Sequence, residues 1–306
     1  MKKIGVPLVI LILFLIPFIP TSSSTYMVSF LFELLMWVAL SESWLLISGY
    51  TGYISLGHAV FFGLGAYTMV HLGQGLPYAL IIILSGLTSG LFALLIGYPF
   101  LRVRGPYFVI LTLGLTKLCQ HAFISIEIKV SGTLERALSG GPSMIVYYYS
   151  ILIIALGAIA TAYLIKNSKF GMGLLSIKED EDASESLGIN TTLYKLLAFG
   201  ISSFFPGMVG AVAAMRRSYV SPDSVFDPMV SFMVVTMALF GGWTRIEGVL
   251  LGVILLSFLF ELLSVNYPYY YMILTGVIVI LVVKFMPGGL FGIKEKVAAM
   301  KILRRA

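Results

Sequence analysis

Long apolar runs alternate with short polar breaks along the whole 306-residue chain. About 20 apolar residues carry an α-helix across the hydrocarbon layer of a bilayer, so each run reads as a spanning helix. The runs lie at approximately 4–20, 27–48, 54–72, 77–100, 106–126, 145–165, 196–214, 229–242, 248–265 and 269–286. This pattern predicts an all-α, polytopic integral membrane protein with about ten transmembrane helices in a single membrane domain over residues 1–306. The run at 229–242 is short enough that a re-entrant half helix fits it equally well. The longest polar breaks, 127–144, 166–195 and the tail 287–306, leave no room for a soluble domain.

Composition agrees: 59% of residues are hydrophobic and 11% charged, against roughly 25% charged in soluble domains, and the mean hydropathy is +0.99. A soluble globular protein is excluded. The net charge of +6 would suit a nucleic-acid binder only if its basic residues clustered on a soluble face. Here they sit between apolar runs. Placing both termini in the cytoplasm leaves Lys129, Arg136, Arg216 and Arg217 outside, Lys117 inside a span and every other Lys and Arg on the cytoplasmic side, the asymmetry of the positive-inside rule. Met1–Ser24, with its Lys2–Lys3 start, fits either a retained first span or a cleaved leader; the retained span is the reading adopted. The single Cys119 rules out a disulfide framework or a CxxC site. The chain has no GxxxxGK[ST] phosphate loop and no GxSxG elbow. Its three histidines lack ligand-like spacing. Neither an enzyme, a cofactor nor a metal is expected, although a metal-dependent intramembrane enzyme using the histidines stays as a rival.

Three features bear on function. First, the 166–195 loop carries Glu179, Asp180, Glu181, Asp182 and Glu185, five of the 14 acids in the chain. Ser176 and Glu179 have the spacing of a capping box, and Gly188 is placed to end a helix. The spacing predicts a helix from about Ile177 to Leu187, which serves as a solvated connector or as a docking element. Second, Gly49, Gly52, Gly57, Gly63 and Gly65 crowd into SGYTGYISLGHAVFFGLGAY. That density predicts a broken helix whose freed backbone lines a cavity, whereas Gly86/Gly90, Gly248/Gly252 and the Ser203, Gly207, Ala211 stripe suit close helix packing. Third, Glu33, Glu42, His58, His71, Lys117, His121 and Glu261 lie at membrane depth, where charge is costly. Lys117 and His121 share one helix face, and Glu33 and Glu42 are the candidate partners of Lys117.

Several blocks, in order, resemble the LivM-type permease subunits of branched-chain amino acid ABC importers. They are SGYTGYISLGHAVFFGLGAY, LRVRGPYFVILTL, GMGLLSIKEDEDASESLGINTTLYKLLAF, SPDSVFDPMVSF and the closing MPGGLFG. The resemblance extends from about residue 40 to 292. It implies a second, homologous permease subunit, two cytoplasmic ATPase subunits, an extracytoplasmic solute-binding protein and a small-molecule solute carried across the lipid bilayer, with no nucleic acid. It also implies that the 166–195 loop holds an EAA-type coupling helix made by Glu179, Asp180, Glu181, Ala183, Glu185, Leu187 and Gly188. Gly49, Gly52, Ser55, Gly57 and His58 match the glycine-rich block of the family and, with Lys117, are the pathway candidates. Two positions depart from the family pattern: Lys117 stands where glutamate is common, and the GGxGT-like block is only partly kept at Gly241–Arg245. Arg216, Arg217 and Asp223 are either a contact for the binding protein or an ordinary connection in which Asp227 caps the next span and Pro228 fills its first turn. Urea or another small solute, or a stand-alone secondary transporter, are the alternatives in function.

Overall fold

The computed structural model describes residues 13–15, 17, 24–73, 75–138, 140–267, 269–285 and 289–290. The expected first span at 4–20, the tail 287–306 and hence the expectation of cytoplasmic termini lie almost wholly outside them.

The described chain is helical apart from one two-stranded ribbon. In order it forms α1 (Ser24–Trp44, continued by a π-helical turn, Leu45–Gly49), α2 (His58–Leu72), α3 (Tyr78–Phe100), α4 (Pro106–Ser131), β1 (Arg136–Ala137), α5 (Met144–Lys166), α6 (Lys169–Glu179), α7 (Glu181–Ser186), α8 (Thr191–Arg217), β2 (Tyr219–Val220), α9 (Pro222–Val225), α10 (Pro228–Gly241), α11 (Ile246–Asn266) and α12 (Tyr271–Phe285). Seven helical stretches among the described residues are long and apolar enough to cross a membrane: Tyr26–Gly49, Tyr78–Phe100, Pro106–Ser131, Met144–Lys166, Thr191–Arg217, Pro222–Gly241 and Ile246–Asn266. The other two expected spans that fall here contain 15-residue helices, α2 and α12. The span expected at 54–72 is helical only from His58 onward, because residues 52–57 are unwound.

α1 and α8 form the centre. α8 lies against α2 and α3, α1 lies against α5, and α10 and α11 pack on each other beside α1. α3 shows how an apolar helix chooses its packing face in lipid. Leu80, Ile83, Leu87, Leu91 and Leu95 are exposed along one side, while Ser85, Gly86, Ser89, Ala93 and Gly97 are buried along the other. Lipid gives Leu no reason to leave it, so small residues that admit close backbone approach take the interior. A methyl group at Gly65 would overlap the Gly207 carbonyl, and one at Gly210 would overlap the Phe62 carbonyl, so α2 and α8 touch backbone to backbone. Gly241, Gly248 and Gly252 do the same for α10 and α11.

The unwound stretch makes a second kind of contact. Bare amides and carbonyls at this depth find no water. The amide of Leu56 donates to Thr112 Oγ1 (3.0 Å) and the Leu56 carbonyl accepts from Thr116 Oγ1 (3.3 Å). The Ser55 carbonyl accepts from Trp44 Nε1 (2.8 Å), and the Ser55 amide donates to Ser48 Oγ (3.2 Å). Ala59, in the first turn of α2, donates to Ser231 Oγ (2.9 Å). Gly52 enters the stretch with φ +80, a conformation open to glycine at little cost.

Gly65→Ala should lower the stability of the purified chain by about 1–3 kcal/mol, because a backbone collision has no rotamer escape. Gly114→Ala, whose methyl group meets nothing within 4 Å, should leave it unchanged or slightly raised. Thermal unfolding of both variants in one detergent checks the contrast.

Candidate functional site

At one end of the bundle the acidic loop folds as two helices. The single helix expected from Ile177 to Leu187, opened by Ser176, is corrected: α6 runs through Ser176 to Glu179, and Asp180 leaves helical geometry at φ −155, ψ 112. The Asp180 carboxylate accepts from the Ala183 amide (3.0 Å) and starts α7, an N-cap that an aspartate makes readily. The hydroxyls of Ser176 and Ser184 lie 2.7 Å apart and fold α7 back onto α6. Gly188, at φ +87, ends α7 as expected. Its amide donates to the Glu185 carbonyl and the Ile189 amide to the Ser184 carbonyl, the bonding of a Schellman cap.

The cap leaves Asp182, Ala183, Glu185, Ser186 and Leu187 facing outward, with Leu187 80% exposed. The inner side of α7 is held by Glu181. Its carboxylate accepts from Lys195 Nζ (2.6 Å) and from Tyr53 OH (2.7 Å). Lys195 also donates to Tyr53 OH (3.0 Å) and to the Leu101 carbonyl (3.2 Å). Arg104 lies 3.5 Å from Glu181 and 2.9 Å from Asp182. One turn earlier, Lys178 Nζ donates to the Gly49 carbonyl (2.9 Å) and stands 4.6 Å from the Trp243 ring centre. Burial lowers the Lys178 ammonium below the usual lysine value, with the Glu179 charge opposing. The Arg104 guanidinium is raised further by its hydrogen bond to Asp182. Tyr53, Arg104, Lys178 and Glu181 line a cavity of about 500 Å³ between α6, α7, the unwound stretch and the start of α4. Two short polar links therefore tie this segment to the break: Glu181 of α7 to Tyr53 within it and Lys178 of α6 to Gly49 just before it.

Of the pathway candidates, Gly49, Gly52, Ser55, Gly57 and His58 come together at this break. The break borders the cavity through Gly52, Tyr53 and Ile54, while at Ser55 and Leu56 the freed backbone is met by hydroxyls and an indole. His58 is fully buried, and among the described residues neither of its nitrogens has a hydrogen-bond partner. Lys117 is elsewhere: it donates to Gln120 Oε1 (2.8 Å), whose amide donates to Asp223 (2.8 Å). It pairs with neither Glu33 nor Glu42. Glu33 pairs with Arg216, and fully buried Glu42 has no hydrogen-bond partner among the described residues.

The opposite end of the bundle gathers the remaining polar groups. Arg216 also covers the Phe32 ring at 4.3 Å, Arg136 pairs with buried Glu127 (2.9 Å), and Tyr26 OH donates to Glu261 (2.6 Å). Asp227 caps α10 through the Met229 amide (2.9 Å), with Pro228 in the first turn, as expected. No group of three His, Cys, Asp or Glu suited to a metal occurs among the described residues. Reading single residues passed over Tyr53, Lys178 and Lys195. The signal available for Lys178 and Lys195 was a cation flanking each end of the acidic run.

This geometry defines a class: a multi-pass membrane protein with a discontinuous span, cross-linked by polar side chains to an exposed acidic helix. Residues 26–283 match the family described as the permease component of the branched-chain amino acid transport system, and the chain belongs to that family. It is similar to the high-affinity branched-chain amino acid transport system permease protein LivM of Salmonella typhimurium and that of Escherichia coli K12. Each is 29% identical over 279 residues, covering 80% of this chain and 65% of the relative. The chain thus spans about two thirds of the length of these relatives. The ribose import permease protein RbsC of Haemophilus influenzae is 27% identical over 125 residues, covering 39% of each chain. No solved structure matches.

Lys195→Met should cost about 1–3 kcal/mol, since the largely buried Glu181 carboxylate keeps Tyr53 and Arg104 but loses its nearest cation. Arg104→Met, at a side chain 54% exposed, should cost under about 1 kcal/mol. Thermal unfolding compares the two.

Proposed function

We propose that the chain is the permease subunit of an ATP-driven importer for branched-chain or other neutral amino acids. It works beside a second permease subunit, two cytoplasmic ATPase subunits and an extracytoplasmic solute-binding protein. One observation carries the reading: the exposed α7 knob is tied through Glu181 to Tyr53 and Lys195, beside the break in the span. In this mechanism Glu179, Asp180, Glu181, Ala183, Glu185, Leu187 and Gly188 form the coupling element. Acidic side chains and Leu187 seat in a cleft of an ATPase subunit, and closure of the ATPases moves α7. The Glu181–Tyr53 and Lys178–Gly49 links carry that movement to the unwound stretch, whose side-chain hydrogen bonds exchange more easily than a continuous helical ladder. The solute crosses chemically unchanged. The LivM relatives support amino acids over sugars by their coverage of this chain, and the sugar permeases make pentoses the reading to test against.

The test uses the complete transporter in proteoliposomes, supplied in parallel with leucine and ribose. ATP-dependent leucine uptake is expected; ribose uptake alone overturns the solute, and uptake by the purified chain under an ion gradient overturns the ATPase partnership. Glu185→Arg and Leu187→Asp should each abolish co-purification of the ATPase subunits and lower uptake at least tenfold without shifting thermal unfolding. Normal assembly and uptake in both variants would make α7 a connector only.

A further inference from the structure

At the end of the bundle away from α7, two cavities of about 220 Å³ and 230 Å³ adjoin between α1 and α10, the first reaching α2, α9 and the end of α8 and the second α11, and share Glu33, Trp37 and Met233. The first is also lined by Asp227 and Arg217. Arg216 is taken up by Glu33 and Phe32, whereas Arg217 is exposed and has no acceptor among the described residues. The Asp227 carboxylate serves only the amide of its own helix. Around these charges the wall is apolar, with Trp37, Met229 and Met233. The second cavity contains Ser257, buried and without a hydrogen-bond partner among the described residues. Ionisable groups held this near the membrane interior commonly mark a solute path, and a small-molecule site is an apolar concavity with a few placed polar groups.

We infer that Arg217, Glu33 and Asp227 form a subsite for the free zwitterion of an apolar α-amino acid, an inference that rests on the importer reading above. The guanidinium fork accepts the carboxylate in two parallel hydrogen bonds. The two carboxylates face the ammonium, and the side chain lies on Trp37 and the methionines. Flexible thioethers fit branched chains of different shape. A sugar brings no formal charge to satisfy these groups, so the lining favours the amino acid. Ser257 supplies a hydroxyl where the path continues into the second cavity.

The experiment measures leucine delivered per ATP hydrolysed by the complete transporter at saturating loaded binding protein, for wild type, Arg217→Ala and Met229→Trp. The tryptophan fills the cavity without removing charge and keeps the test alive if the arginine variant folds poorly. Both variants should lower the ratio at least tenfold. An unchanged ratio in both overturns the subsite while the importer reading stands. Loss of binding-protein co-sedimentation with Arg217→Ala makes Arg217 a docking residue and also overturns it. Wild-type transporter that carries ribose and not leucine removes the importer reading's solute, and the subsite with it.

Discussion

An unwound backbone inside an apolar bundle must bring its hydrogen-bond partners with it, and the arrangement of this protein follows from meeting that demand at residues 52–57. Thr112 and Thr116 fix α4, Ser231 fixes α10, and Ser48 and Trp44 fix the end of α1 around one short stretch. Together these contacts join three elements to the peptide groups of Ser55, Leu56 and Ala59. The break is thus a hub, and α2 starts from it already oriented toward α8.

Beyond the hub, two kinds of contact divide the molecule. Glycine contacts between α2 and α8, and between α10 and α11, bring the backbones of each pair into direct contact. The ion pairs sit toward the two ends and side-chain bonds hold the break, while between the helices single hydroxyls such as Ser89, which donates to the Phe61 carbonyl, serve backbone groups. Closely packed pairs joined at side-chain bonds would suit the importer mechanism proposed above. The burial of Lys195, only 3% exposed, keeps water from competing for Glu181 and makes the α7 link stiff compared with the Arg104–Asp182 pair at the surface.

Much of this was legible in the order of residues. Runs near 20 residues marked the long helices, and the glycine crowd from Gly49 to Gly65 marked the break. Gly188 marked the end of the acidic helix, and Asp227 with Pro228 the start of α10. The partners of the break were hidden, because Thr112, Thr116 and Ser231 look like ordinary small residues in apolar runs until folding brings residues 56, 112 and 231 together. Pairing failed for the same reason. Lys117 was within chemical reach of any acid at its depth, and only the packing of α4 beside α9 set Gln120 and Asp223 before it. The kink at Asp180 was obscured by Ser176, an equally good cap by local chemistry, whose hydroxyl the fold spends on Ser184.

The π-helical turn at Leu45–Gly49 bears on how the sequence can change. A π turn holds one more residue than the α turn it interrupts, and here it sits immediately before the break. Removing one residue from this turn would restore α-helical winding and leave residues 24–44 on their present faces, since a π turn and an α turn both close one circle and differ in how many residues they use. Trp44 would keep its place at the Ser55 carbonyl and Glu33 its place at Arg216, whereas the same deletion inside Ser24–Trp44 would turn every residue before it by about 100°. The π turn is therefore the place where α1 can change in length by one residue without moving what it holds.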